Sequence, residues 1–143
     1  MSSLRGVVVD TNVVVSGLLT REPTAPTARI LDAMLAGRFV FLLSVDLLAE
    51  YREVLLRPKV RRLHGLDQPA IDGVLARLAQ HGAVREPMGT AEQAPDRWDQ
   101  HLWALLAAAP GALLVTGDRE LMEQPPHGVT VLAPANFVKG WGE

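Results

Sequence analysis

Two rhythms of apolar residues run along the chain. Val7-Val8-Val9 is a continuous β-branched run, the pattern of a strand buried on both faces, and such strands belong to parallel sheets covered by helices. Asp10-Thr11-Asn12 ends it, and Val13 to Leu19 continues as a short helix or turn. Thr20 to Pro26 holds two prolines and reads as a loop. From Ala28 to Ala36 the period changes: Ile30, Leu31, Met34 and Leu35 share one helical face, and Gly37 stops it. Phe39 to Leu43 is the next strand. Ser44 caps a helix that runs to about Leu56 and ends before Pro58. Lys59 to Gly65 is basic and reads as irregular chain or one helical turn. Asp67 caps a helix from about Pro69 to Gln80, with proline in the first turn and Gly82 as the stop.

Past Gly82, Val84 marks a short strand and Met88 to Pro95 a loop. A helix from about Arg97 to Ala109 stops at Pro110-Gly111, and Ala112 to Val115 is a second buried strand. Asp118 to Glu123 is a short helix, Val129 to Leu132 the last strand, and Phe137 and Trp141 anchor the tail. Strands and helices alternate without an internal repeat. The expected fold is therefore α/β, one three-layer α/β/α domain over residues 1–143, with the strand C-termini and any ligand site on one side.

Composition narrows the function. The chain has 143 residues, 48% of them hydrophobic and 5% aromatic, enough for a real core. Its formal charge of -2 gives no overall field toward nucleic acid. Cysteine is absent, which excludes disulfides, thiolate catalysis and cysteine-held metals. Met1 to Gly6 and the apolar run that follows are too short for a signal-peptide core or a membrane span, so a cytoplasmic protein is expected.

The informative chemistry is acidic. Asp10 and Asp118 each follow an apolar strand, so both reach the same rim of the sheet. Taken singly, Asp10 could form an Asx turn and Asp118 could cap the helix after it. Local capping does not require that two strands deliver an aspartate to one edge. Glu50 falls at the edge of the stripe made by Leu47, Leu48, Tyr51, Val54 and Leu55, whereas Glu53 faces solvent. Asp46 suits the helix dipole. Asp99 projects to the side of Leu102, Leu105 and Leu106, where an acid needs a partner or a metal. A competing reading makes Asp96 an N-cap and Asp99 its capping-box partner, with Asp96 as an outer acid. Carboxylates gathered without cations raise one another's pKa, and a divalent ion relieves this. Hard oxygen ligands suit Mg²⁺ or Mn²⁺, one ion or two, which can activate water against a phosphodiester.

Asn12 and Thr116 are the expected supports for Asp10 and Asp118, with Ser16 and Ser44 near the same rim. His64, His81, His101 and His127 form no metal-spaced pair. His101 is expected on a different face from Asp99, and all four histidines read as structural or exposed. Arg57, Lys59, Arg61 and Arg62, with Arg52 upstream, form a basic cluster that reads either as a solvated face or as a phosphate-holding rim. Arg97 and Arg119 flank two of the acids and join the candidates for substrate contact.

These segments resemble the PIN domain family, in particular its toxin-like (VapC-type) bacterial branch. The likeness rests on Val7-Val8-Val9-Asp10-Thr11-Asn12-Val13, on Leu47 to Leu55, on Asp99-Gln100-His101-Leu102-Trp103-Ala104, and on Leu114-Val115-Thr116-Gly117-Asp118-Arg119. The stretch Val131 to Phe137 resembles the family's last strand and turn. The resemblance implies a parallel sheet of about five strands and a metal-dependent ribonuclease. It makes Asp10, Glu50, Asp99 and Asp118 the four acids in order, with Asn12 and Thr116 as polar supports. It also implies a homodimeric toxin acting on RNA and inhibited by a small antitoxin. Two departures stand out: Trp98-Asp99-Gln100 replaces the paired aspartates common in that branch, and Pro110-Gly111 alters a helix-to-strand link. Rival readings are a non-catalytic protein-binding module of the same fold, DNA flap cleavage, and a haloacid-dehalogenase-like phosphatase. The last would want an aspartate where Asn12 stands.

Overall fold

The computed structural model describes residues 6–90 and 92–141, so the leader reading of Met1 to Gly6 lies outside the described residues except at Gly6. The chain runs β1 (Val7–Val9), α1 (Thr11–Leu19), α2 (Pro26–Leu35), β2 (Leu42–Leu43), α3 (Val45–Leu55), α4 (Pro58–His64), α5 (Gln68–His81) and β3 (Ala83–Val84). A 3-10 turn at Arg97–Asp99 then leads into α6 (Gln100–Ala107), β4 (Leu113–Val115), α7 (Arg119–Glu123), β5 (Thr130–Leu132) and α8 (Pro134–Val138).

Every strand pairing is parallel, because each pair is joined through helices long enough to carry the chain back. The strands do not make the single five-stranded sheet expected. They form a three-stranded sheet in the order β1-β4-β5 and a separate β2-β3 pair. One bridge, Val7 to Phe41, links the two, and the Val7 amide donates to the Val40 carbonyl at 3.0 Å. β2 and β3 have two residues each, too few to extend the ladder beyond that bridge.

Burial follows the apolar phase. In α3, Leu47, Tyr51 and Leu55 are fully buried at helical spacing; Ile71 and Leu78 do the same in α5, and Leu102 and Leu105 in α6. Each buried leucine or isoleucine contributes roughly 1.5–3 kcal/mol of hydrophobic stabilisation. Ser44 caps α3 by accepting from the Leu47 amide at 3.1 Å, and Asp67 caps α5 by accepting from Ala70 at 2.9 Å. Phe39, Phe137 and Trp141 pack together with ring centroids 5.3 to 5.8 Å apart and fix α8 to the body.

Three local expectations change. Pro26 opens α2 instead of closing a loop, since proline at the first helical position loses no intrahelical bond. Pro58 likewise starts α4, a full helix over a stretch expected to be irregular or a single turn, and Gly65 ends it at φ 70°. The helix expected from Arg97 begins as a 3-10 turn and becomes α-helical only at Gln100.

Candidate active site

The register of the sheet builds the site. Val9 pairs with Val115, so the next residue of each strand, Asp10 and Thr116, emerge side by side at the C-terminal edge. The Asp10 amide donates to the Val115 carbonyl at 2.9 Å, which holds the two strand ends level. Asp10 is 5% exposed and therefore needs its hydrogen bonds. Oδ1 accepts from the Thr11 amide at 2.8 Å, and Oδ2 accepts from the Thr116 hydroxyl at 2.7 Å and from Asn12 Nδ2 at 3.1 Å. Burial raises the Asp10 pKa, the Thr116 and Thr11 bonds pull against that rise, and Glu50 and Asp118 push it further up.

Thr116 also accepts from the Asp118 amide at 3.0 Å, and Asn12 Oδ1 accepts from the Gly117 amide at 3.2 Å. The helix cap weighed against a site at Asp118 is present, while Asp10 forms a cap in place of the expected Asx turn, its Oδ1 accepting from the Thr11 amide and not from that of Asn12. Asp10 caps α1, and Asp118 caps α7 by accepting from Glu120 at 2.9 Å. Each capping carboxylate nevertheless lines the same cleft.

Glu50 is placed by its neighbour in sequence. The Tyr51 hydroxyl, fully buried, donates to the Val9 carbonyl and clamps α3 against the end of β1. Burial pushes the Tyr51 pKa well up, so this proton stays on the phenol. Glu50 then accepts from the Thr11 hydroxyl, and His101 Nε2 stands 3.3 Å from its Oε1. That approach is a charge contact and not an aligned hydrogen bond, since neither ring nitrogen of His101 has a well-directed partner among the described residues. His101, with Thr11 and Arg57, holds Glu50 below its ordinary pKa against the opposing effect of burial. Burial alone would lower His101, but Glu50, Asp46 and Asp99 outweigh it and raise its pKa.

His101 does not line the cleft as Asp99 does; it sits half-buried behind it against Glu50. Thr11, Tyr51 and His101 are contributors that the sequence does not reveal. Their contacts span 39, 42 and 51 residues, so no local spacing records them.

Asp99 lines the cleft with Asp10, Glu50, Asp96 and Asp118. Asp96 is the N-cap expected, accepting from the Trp98 amide at 3.0 Å, but the Asp99 carboxylate caps no helix and the capping box does not form. Burial, then repulsion from Asp10, Asp96, Glu50 and Asp118, raises the Asp99 pKa from 3.8 to about 6.

The cleft has a volume of about 620 Å³ and is widely open to solvent. Arg57 is the one lysine or arginine on its wall among the described residues, and it is also tied to Glu53 at 3.0 Å on the surface. Arg61 and Arg62 line a different depression beside Gly65 and Asp67, and Lys59 is exposed on the same helix. Arg52 pairs with Asp72 at 2.8 Å, away from the cleft. Arg97 stacks on Trp98, and Arg119 is exposed in the first turn of α7.

A cleft lined by carboxylates that repel one another is chemically suited to a hard divalent cation. Among the described residues no three acidic or histidine side chains already stand as a ligand cluster. The donor set fits an ion of the magnesium type, which keeps several waters and takes only one or two carboxylates directly.

The PIN domain family matches residues 6–120, and the chain belongs to that family, a family of nucleases that typically use divalent metal ions. The match leaves no place for the haloacid-dehalogenase alternative. Among solved structures, the T. brucei RRP44 PIN domain is similar over 97% of this chain and 82% of that chain, at 18% identity and a TM-score of 0.48. Comparison with curated proteins gives no match. No helix among the described residues is long and apolar enough to cross a membrane.

Proposed function

We propose that this protein is a divalent-metal-dependent endoribonuclease and the toxin of a toxin–antitoxin pair. In this reading it is a single PIN-like domain that acts as a cytoplasmic homodimer and is silenced by a small antitoxin covering the cleft. The observation that carries the nuclease reading is the convergence of five acids from four separate parts of the chain on one cleft, with Asp99 raised to about 6 by burial and by its acidic neighbours.

Asp10, Glu50, Asp99 and Asp118 would hold one or two Mg²⁺ or Mn²⁺ ions, with Asp96 as an outer acid. When bound, such an ion supplies positive charge to a phosphodiester and lowers the pKa of water. The chain's own part is preorganisation. Thr116, Asn12 and the Thr11 amide fix the Asp10 carboxylate, while Thr11 and His101 fix Glu50. Arg57 on the cleft wall would contact phosphates of the strand, and so would Arg97 and Arg119, which neighbour two of the acids in sequence, and Lys59, Arg61 and Arg62 along α4.

The test is cleavage of a single-stranded RNA by purified protein with Mg²⁺, with Mn²⁺ and with chelator. Asp10→Asn and Asp118→Asn are expected to lower kcat/KM by more than the roughly 10–100-fold that loss of an outer-sphere partner costs, with unchanged circular dichroism. The rival reading is a partner-docking module of the same fold with silent acids. RNA left equally intact by wild type and Asp10→Asn in both metals would establish that rival instead.

A further inference from the structure

Trp98 is 69% exposed, the largest hydrophobic side chain left so open among the described residues. It stands in the 3-10 turn between Asp96 and Asp99, both of which line the acidic cleft. A 3-10 turn has three residues per turn, so Asp96 and Asp99 lie on one face and Trp98 a third of a turn away. Trp98 does not itself line the cleft; it follows Asp96 by two residues and precedes Asp99 by one, and both of those acids do. Arg97 lies over the ring with its guanidinium carbon 5.0 Å from the centroid, which restrains the ring while leaving most of it in water.

Single exposed apolar residues are common and by themselves mean little. Here the surroundings give the ring a role. Its nearest neighbours in the chain, Asp96, Arg97, Asp99 and Gln100, are all charged or polar. An isolated π-face beside a cation and a phosphodiester-cleaving cleft matches the pairing of base and phosphate in one unpaired nucleotide. In a duplex that face of the base is already stacked and unavailable.

We propose that Trp98, backed by Arg97, is a stacking platform for the base next to the scissile phosphate, and that it selects single-stranded substrate. The assignment rests on the nuclease reading above.

The test uses the full-length protein and a single-stranded RNA oligonucleotide, with Trp98→Ala and Trp98→Phe compared against wild type. Trp98→Ala is expected to raise KM on the order of tenfold with kcat within about twofold, because one base stack is lost. Trp98→Phe is expected to remain near wild type. An oligonucleotide abasic beside the cleaved bond should raise KM for wild type but not for Trp98→Ala, and cleavage of a duplex should not depend on Trp98. Equal KM values for wild type and Trp98→Ala overturn the proposal, as does an equal loss in Trp98→Phe. If wild type cleaves nothing, the nuclease reading has failed. The platform is then judged by tryptophan emission during titration with the oligonucleotide in Mg²⁺. Quenching that Trp98→Phe abolishes supports it; quenching that persists, or none at all, overturns it.

Discussion

Asp99 shows how a single side chain reports on the cleft around it. Its carboxyl is pushed up to about 6 from 3.8, first by burial and then by its acidic neighbours. The folded protein therefore binds this proton more tightly than the unfolded chain does. The corresponding stability is fully present below the ordinary carboxylate range and is lost as pH rises between 3.8 and about 6. At pH 7.5 the metal-free protein carries the whole penalty. Asp99→Asn removes the charge at similar shape, so in chelator it is expected to melt above wild type at pH 7.5, with the gap closing toward pH 4. A scan of melting temperature against pH checks this. An Asn variant that melts lower at pH 7.5 would mean that Asp99 is satisfied by a partner and not strained by repulsion. Among the site residues, Asp10 and Asp118 were legible because each follows a run of buried strand residues. His101 was not. Its contact with Glu50 bridges 51 residues of chain, which no spacing within one helix records.

Elements were readable where one signal dominated and misread where two conformations share a signal. The run Val7-Val8-Val9 and the stripe Leu47, Tyr51, Leu55 each admitted one answer. Pro26 and Pro58 did not, because proline both ends loops and begins helices. The meeting of α1 with α2 rests on a residue whose role only the structure reveals. Gly17 lies within α1, and a Cβ there would come within 2.5 Å of the Thr27 backbone carbonyl and 3.0 Å of Leu31 Cβ. Helix propensity alone favours Gly17→Ala by about 1 kcal/mol. Overpacking against a backbone oxygen, which cannot swing away, costs typically about 1–3 kcal/mol. The clash should prevail, so Gly17→Ala is expected to lower unfolding free energy in urea. A stabilised variant would show that the two helices separate at little cost. Because Asp10 caps α1 and the helix carries Thr11 and Asn12, a shifted helix should also reduce nuclease activity.

At the scale of the whole molecule, the net charge of -2 and the acids of the cleft work against a polyanionic substrate, while a discrete row of cations works for it. α4 begins immediately after Arg57 on the cleft wall and carries Lys59, Arg61 and Arg62, all exposed and with no carboxylate within ion-pair distance among the described residues. A single strand leaving the acids past Arg57 would meet them in turn. Salt separates the two influences because it acts on them with opposite sign. Screening the acids aids binding, whereas each phosphate held by a cation releases counterions and makes binding fall with salt by a slope of about -0.7 on logarithmic axes. Metal in the cleft offsets the acids, so the cations should prevail, and log(kcat/KM) is expected to fall as log salt rises at fixed Mg²⁺. Replacing Arg61 and Arg62 together by Gln should make that slope shallower by about 1.4 if each holds one phosphate, and should raise KM with kcat held. A slope unchanged by the double substitution would confine the substrate path to the cleft and to Arg57, Arg97 and Arg119, with α4 a solvated face.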